Sequence, residues 1–290
     1  MRNFNYFAPK DLHEVQNLLA KYPEKSFLMA GGTDLMVLMR LRQIIPKYVI
    51  DLKGAGLRYI KAMEKGLAIG ATATLHDIET SPLVQERCRV LAATCSDMAS
   101  YSIRHLGTLG GNLCNASPSA DTAPSLIVLG AKVKMSGPKG ERLIPVETMF
   151  TGPGETVLKP GEVLTEIQVP DLPPSGKVVY LKFKRNNGMD LAVVGVAVCL
   201  IMDSTGKVCQ EARIALGAVA PTPIRVPAAE NALKGKVLIE GLIKETGIMA
   251  KETAKPISDV RSSSDFRIAL IEVLVCDALR QLKALLSEGT

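Results

Sequence analysis

The chain has 290 residues, 47% of them hydrophobic, 4% aromatic and none tryptophan, with a formal net charge of +6 from 35 Lys and Arg against 29 Asp and Glu. That length supports a sizeable core and favours two domains. The basic residues are spread along the chain and aromatics are scarce, which argues against nucleic-acid binding and fits anionic small molecules or acidic partner surfaces.

A strand is predicted over residues 4–7, then a helix opened by Pro9 and Asp11 that runs to Tyr22 with apolar residues at Leu12, Val15, Leu18 and Leu19. Residues 26–30 read as a strand entering the first of two glycine-centred runs, Ala30-Gly31-Gly32-Thr33-Asp34, and residues 35–41 as the helix after it. This order places the Gly31 and Gly32 amides at a helix N-terminus, where unpaired donors and the helix dipole favour an anion. Residues 47–52 read as the next strand, 59–71 as a hairpin, and 83–100 as a helical stretch leading to the second run, Thr108-Leu109-Gly110-Gly111-Asn112. Glycine has no Cβ and takes positive φ, so paired glycines let consecutive amides converge on a phosphate, and two such turns suit one doubly phosphorylated ligand. Taken singly, each also reads as an ordinary tight turn.

Residues 122–129 read as a buried helix behind the loop Ser117-Pro118-Ser119-Ala120-Asp121, and strands resume at 131–135 and 163–169. The run Pro170-Asp171-Leu172-Pro173-Pro174-Ser175-Gly176 marks a domain boundary. Strand-like runs at 178–184, 191–202 and 209–216 then precede helical patterns around 230–251 and 266–286, the order of a smaller α+β domain.

Neither glycine run has the G-x-G-x-x-G spacing of a nicotinamide Rossmann site, and no phosphate loop ending in Gly-Lys-Ser/Thr occurs. Cys88, Cys95, Cys114, Cys199, Cys209 and Cys276 include no C-x-x-C pair, which argues against a zinc site or a locally held iron–sulfur cluster and fits reduced cytoplasmic thiols. The N-terminus lacks the apolar core of a signal peptide, and the longest apolar run, residues 191–202, is too short for a membrane span and reads as a buried strand. Cys114 follows the second glycine run without a basic neighbour, and His105 precedes it by three residues; structural roles are expected for both. His13 and His76 are too distant in sequence to form a helical metal pair with it. Asp121 suits either a ribose hydroxyl or a helix N-cap, and Lys184 either a flavin or phosphate contact or a solvated strand position.

The first glycine run, the segment Ile103-Arg104-His105-Leu106-Gly107-Thr108-Leu109-Gly110-Gly111-Asn112-Leu113-Cys114-Asn115, the run Gly217-Ala218-Val219-Ala220-Pro221-Thr222-Pro223-Ile224-Arg225, and Asp259-Val260-Arg261-Ser262-Ser263 with Phe266-Arg267 together resemble the FAD-binding medium subunit of molybdenum hydroxylases. The resemblance spans essentially the whole chain. It implies a flavin-binding fold of the vanillyl-alcohol-oxidase type: two α/β subdomains, about 1–54 and 55–172, that clasp FAD, and a C-terminal α+β domain over 177–290 with an antiparallel sheet and helices. Leu28, Met29, Ala30, Gly31, Gly32, Thr33, Asp34 and Leu35 would wrap the pyrophosphate with Thr108, Leu109, Gly110, Gly111 and Asn112. Asp121 would bind the adenosine side, and Met98, Leu164 and Lys184 match positions that contact the flavin or its ribityl chain in relatives. No catalytic side chain and no metal ligand is expected on this chain. The resemblance places the molybdenum cofactor on a large partner subunit and [2Fe-2S] clusters on a small one, with NAD+ or another acceptor taking electrons from the flavin. Thr33-Asp34 looks more like bacterial xanthine dehydrogenase subunits than the His-Ser pair common in carbon monoxide dehydrogenases, and His105 departs from the commoner asparagine. The alternatives are a flavin subunit of an aerobic-type carbon monoxide dehydrogenase or of another aromatic or aldehyde hydroxylase, and a non-enzymatic nucleotide-binding assembly module. No inserted cysteine cluster of the aryl-CoA reductase type is present.

Overall fold

The computed structural model describes residues 2–186 and 188–287. The chain begins with β1 (Asn5–Phe7), α1 (Leu12–Lys21), β2 (Ser26–Met29), α2 (Leu35–Arg40) and β3 (Tyr48–Asp51), and the three strands form a parallel sheet in the order β1-β3-β2. Asp11 caps α1 by accepting from the Glu14 N–H at 2.8 Å, as its position before an apolar repeat predicts. Val15 of α1 and Ile50 of β3 are both fully buried, in a small core that also takes Val163 from much later in the chain.

The next segment holds β4 (Ile60–Met63), β5 (Gly66–Gly70), α3 (Leu75–Thr80), α4 (Pro82–Arg87), α5 (Arg89–Ser96), α6 (Tyr101–Arg104), α7 (Leu109–Asn115) and α8 (Thr122–Val128). It continues through β6 (Lys132–Gly137), β7 (Gly140–Pro145), a 3-10 turn (Val146–Thr148), β8 (Phe150–Gly152), β9 (Glu155–Thr156) and β10 (Val163–Pro170). Its main sheet is antiparallel, in the order β4-β5-β10-β6-β7, and its helices share one large core with that sheet. The single helical stretch expected over 83–100 is instead two helices, broken at Cys88, where φ is −148°. It ends at Ser96, and Ala99 follows with φ +48°.

The last segment is β11 (Gly176–Phe183), β12 (Val194–Met202), β13 (Cys209–Gly217), β14 (Ile224–Arg225), α9 (Pro227–Leu233), α10 (Glu240–Thr253) and α11 (Ser264–Ser287). The four strands pair antiparallel in sequence order. The apolar run through β12 reflects burial on both faces. Ala197 and Cys199 join the core of the preceding segment, while Val194, Val196, Val198 and Leu200 face a second core under α9, α10 and α11. The helical pattern expected around 230–251 divides into α9 and α10, with Gly235 at φ +75° between them.

Candidate functional site

The strand β2 delivers the chain into the first glycine run, and α2 starts directly after it. Gly32 has φ +72°, a conformation that side-chain-bearing residues avoid. Gly31 is constrained by a neighbour instead: a Cβ built on it would lie 1.9 Å from the Leu106 carbonyl oxygen. The two glycine-rich segments, over 70 residues apart in sequence, therefore touch through the one residue type that permits it. The N–H groups of Gly31, Gly32, Thr33, Asp34 and Leu35 find no acceptor among the described residues. Successive unpaired donors on a half-buried turn are available to bond an anion.

The second run differs from the turn expected of it. Gly110 and Gly111 lie inside α7, whose N-cap Thr108 accepts the Gly111 N–H at 3.0 Å. The amides of Leu109, Gly110 and Asn112 donate to the carbonyls of Ala73, Ala71 and Thr108 at 3.0, 2.9 and 2.9 Å. Four consecutive amides are thus consumed by the protein, and of this run only the Thr108 N–H finds no acceptor among the described residues, against five successive amides in the first run. Packing accounts for the second pair of glycines: a Cβ on Gly110 would meet the Ala71 carbonyl oxygen at 2.6 Å, and one on Gly111 would meet Thr108 Oγ1 at 2.7 Å and the Ala30 Cβ at 3.9 Å. This segment forms the platform against which the first run is set.

From α7 the contacts continue toward the C-terminal sheet. Thr122 Oγ1 donates to Asn112 Oδ1 at 2.6 Å, and Asp121 precedes Thr122. Asp121 makes no side-chain cap bond to α8. Its carboxylate instead accepts from Tyr180 Oη at 2.7 Å and Lys182 Nζ at 2.8 Å, with the Lys182 and Asp121 side chains only 2% and 5% exposed. Burial raises the Asp121 carboxyl above the usual carboxylate range against the opposing pull of Lys182 and Tyr180, and burial likewise drives the Tyr180 phenol well above its ordinary value. Lys184, directly after the end of β11, donates to Asp97. Both basic residues expected or found here are therefore paired with acids of the preceding segment. Lys182 and Tyr180 escaped the sequence reading, although their period-two spacing with Lys184 on a strand was a usable signal.

Met98 follows Asp97 and is 7% exposed. Leu28, Met29 and Leu35 are half-buried and Asp34 is exposed, whereas Leu109 and Leu164 lie in the main core at 0% and 4% exposure. A cleft of about 920 Å³ runs along α5 between α4 and β11 and has Asp97 and Lys182 among its lining. Burial pushes the Cys114 thiol up to about 12, which keeps it protonated at neutral pH and unsuited to nucleophilic work. His105 stacks on His76 with ring centroids 3.8 Å apart. Among the described residues no cluster of His, Cys, Asp or Glu is placed to hold a metal, and no helix is long and apolar enough to cross a membrane.

Residues 2–172 match the family model described as the FAD binding domain in molybdopterin dehydrogenase, and residues 179–282 match the CO dehydrogenase flavoprotein C-terminal domain. The chain belongs to the FAD-binding medium subunits of the molybdenum hydroxylases. It is 33% identical to the carbon monoxide dehydrogenase medium chain of Hydrogenophaga pseudoflava, covering 95% of this chain and 96% of that one. A putative xanthine dehydrogenase FAD-binding subunit of Escherichia coli is 30% identical, over 93% of this chain and 92% of the other. A solved carbon monoxide dehydrogenase chain from Hydrogenophaga pseudoflava superposes with a TM-score of 0.92 at 34% identity, covering 96% of each chain. Quinoline 2-oxidoreductase from Pseudomonas putida gives 0.91 at 30% identity, over 97% of this chain and 96% of that chain. As a member of this family the chain is the flavoprotein component of an oxidoreductase. The unpaired amides of the first glycine run fit the family's cofactor, since FAD carries its negative charge on a pyrophosphate.

Proposed function

We propose that this chain holds FAD as the electron outlet of a multi-subunit molybdenum hydroxylase, receiving electrons from [2Fe-2S] clusters on a small subunit after substrate oxidation at a molybdenum centre on a large one. The five unpaired amides from Gly31 to Leu35, set against the α7 platform, carry this reading. FAD supplies the redox chemistry, taking up electrons and passing them to NAD+ or another acceptor. The protein's part is to bind and orient. Amides of the first run would hold the pyrophosphate without a charged side chain. Gly31 would keep both segments close enough to enclose it, and Asn112, Met98, Leu164 and Lys184 would border the remainder of the cofactor. Asp121 enters this scheme already hydrogen-bonded by Tyr180 and Lys182, so a ribose hydroxyl would use its remaining lone pairs. Lys184 would act on the flavin through a cation shared with Asp97.

The Thr33-Asp34 pair supports a xanthine dehydrogenase-like outlet to NAD+. The 33% identity to a carbon monoxide dehydrogenase medium chain supports the alternative, and the 30% identity to a xanthine dehydrogenase subunit keeps both in view. The domain division we favour is 1–172 for cofactor binding, in two subdomains meeting near residue 54, and 177–290 for the C-terminal unit. The test is the visible spectrum of the purified chain before and after added FAD. Flavin absorbance that survives desalting is expected. A chain that remains colourless after reconstitution would reject the reading and favour an assembly role.

A further inference from the structure

Arg104 ends α6, and its side chain makes an unusually complete set of contacts. Its guanidinium Nε and Nη2 donate to Glu79 Oε2 and Oε1 at 2.8 and 3.4 Å, and Nη1 donates to the carbonyls of Met98 and Ala99 at 3.0 and 3.1 Å. The Arg104 side chain is 12% exposed, so these bonds are made largely out of water. Ala99 is in the left-handed region at φ +48°, which an alanine keeps only where its surroundings impose it. Arg104 is the group that grips both carbonyls at that strained point.

The same arginine also bears on the glycine junction. Two residues after it, the Leu106 carbonyl oxygen abuts Gly31, and the Gly107 carbonyl accepts the Leu75 N–H at 2.9 Å. Glu79, which braces the guanidinium, lies on α3, and His76 of that helix stacks on His105. One fork thus links the Met98–Ala99 backbone and the helix α3 to the segment that meets the first glycine run.

We propose that Arg104 is a positioning residue for the flavin, its guanidinium braced on Glu79 and holding the left-handed Ala99 so that Met98 is fixed at the cofactor's edge. This rests on the reading that the chain binds FAD with Met98 beside the flavin. A lysine keeps the charge but has no fork to reach a carboxylate and two carbonyls together.

The test uses the full chain reconstituted with FAD and compares Arg104→Lys, Arg104→Gln and Met98→Ala, reading the FAD Kd, the flavin absorption maximum and the flavin reduction potential. Arg104→Lys and Arg104→Gln are expected to raise the Kd by about tenfold, equivalent to about 1.4 kcal/mol of binding free energy. Both are expected to move the absorption maximum and the potential in the same direction as Met98→Ala. Wild-type Kd and potential in both arginine variants, with Met98→Ala altering them, would overturn the proposal and leave flavin binding intact. A weaker Kd with unchanged spectrum and potential would equally overturn it, by marking the arginine as structural support only. A wild-type chain that binds no FAD would instead remove the reading beneath it. Should the arginine variants fail to fold, Glu79→Gln takes away the brace alone and is judged by the same outcomes.

Discussion

Gly31 and Gly32 are adjacent, but the structure requires glycine at the two positions for different reasons, and substitution separates them. At Gly32 a Cβ would meet only the flexible side chains of Met29 and Met36 at 3.4 Å, so Gly32→Ala pays chiefly for positive φ, roughly 1–2 kcal/mol. At Gly31 the obstacle is a backbone carbonyl at 1.9 Å, and Gly31→Ala must push the two glycine-rich segments apart. We expect Gly32→Ala to keep its flavin with a lowered melting temperature and Gly31→Ala to lose it, measured as flavin per chain after desalting. The reverse ranking would mean that the close approach at Gly31 is incidental to binding. Gly110 is a poor probe of the same question, because any side chain there meets Ala71 and reports on folding first.

Among the elements, α3 is small but tightly specified. Thr74 Oγ1 accepts the Asp77 N–H and Asp77 Oδ2 accepts the Thr74 N–H, both at 3.0 Å, closing a capping box that Arg58 reinforces with two bonds of 2.8 Å. Burial raises the Asp77 carboxyl, but the Arg58 and Thr74 donors outweigh it and hold the pKa below its ordinary value. A depressed folded-state pKa gives stability that is present above the unfolded value, near pH 4, and lost as pH falls through the folded one. Asp77→Asn should therefore melt below the wild type at neutral pH, and the gap should close below about pH 4. A gap that stays constant with pH would show that the carboxylate charge contributes nothing. In the sequence α3 is not legible, because six residues with one apolar stripe are too few for a helical period, whereas α1 shows in a longer repeat and a cap, and β2 and β3 in short apolar runs. Periodicity runs α4 into α5 because it does not register a single residue of broken backbone such as Cys88, and α9 and α10 also read as one helical pattern although residues 234–239 separate them. Glycine marks the first run, whose amides the fold leaves unpaired. In the second run, glycines required for packing inside α7 look the same in sequence as glycines of an open turn. Arg267 shows the same limit: a motif residue by resemblance, it is buried at 2% exposure with bonds to the carbonyls of Val193 and Ala218 and to Asp259, partners that only the fold brings together.

Across the whole molecule, the C-terminal sheet is shared between two cores, and the seam between the family's two matched regions buries an ion pair. Lys182 and Asp121 lie on opposite sides of that seam, and Ala218 N–H adds a bond of 2.7 Å to the Pro118 carbonyl nearby. A buried ion pair adds little net stability over an apolar pair, but removing one partner strands the other charge. Lys182→Met is therefore expected to cost about 3–5 kcal/mol in urea unfolding. Adding Asp121→Asn to it should restore most of that loss, because the amide is neutral and its oxygen still accepts from Tyr180 Oη. Since Asp121 sits one residue from the Thr122 that holds Asn112, Lys182→Met should also release flavin more readily than wild type, linking the C-terminal sheet to the cofactor site. If the double variant is instead destabilised by the sum of the two single changes, Lys182 and Asp121 do not act as a pair, and the seam is held by its shared apolar sheet alone.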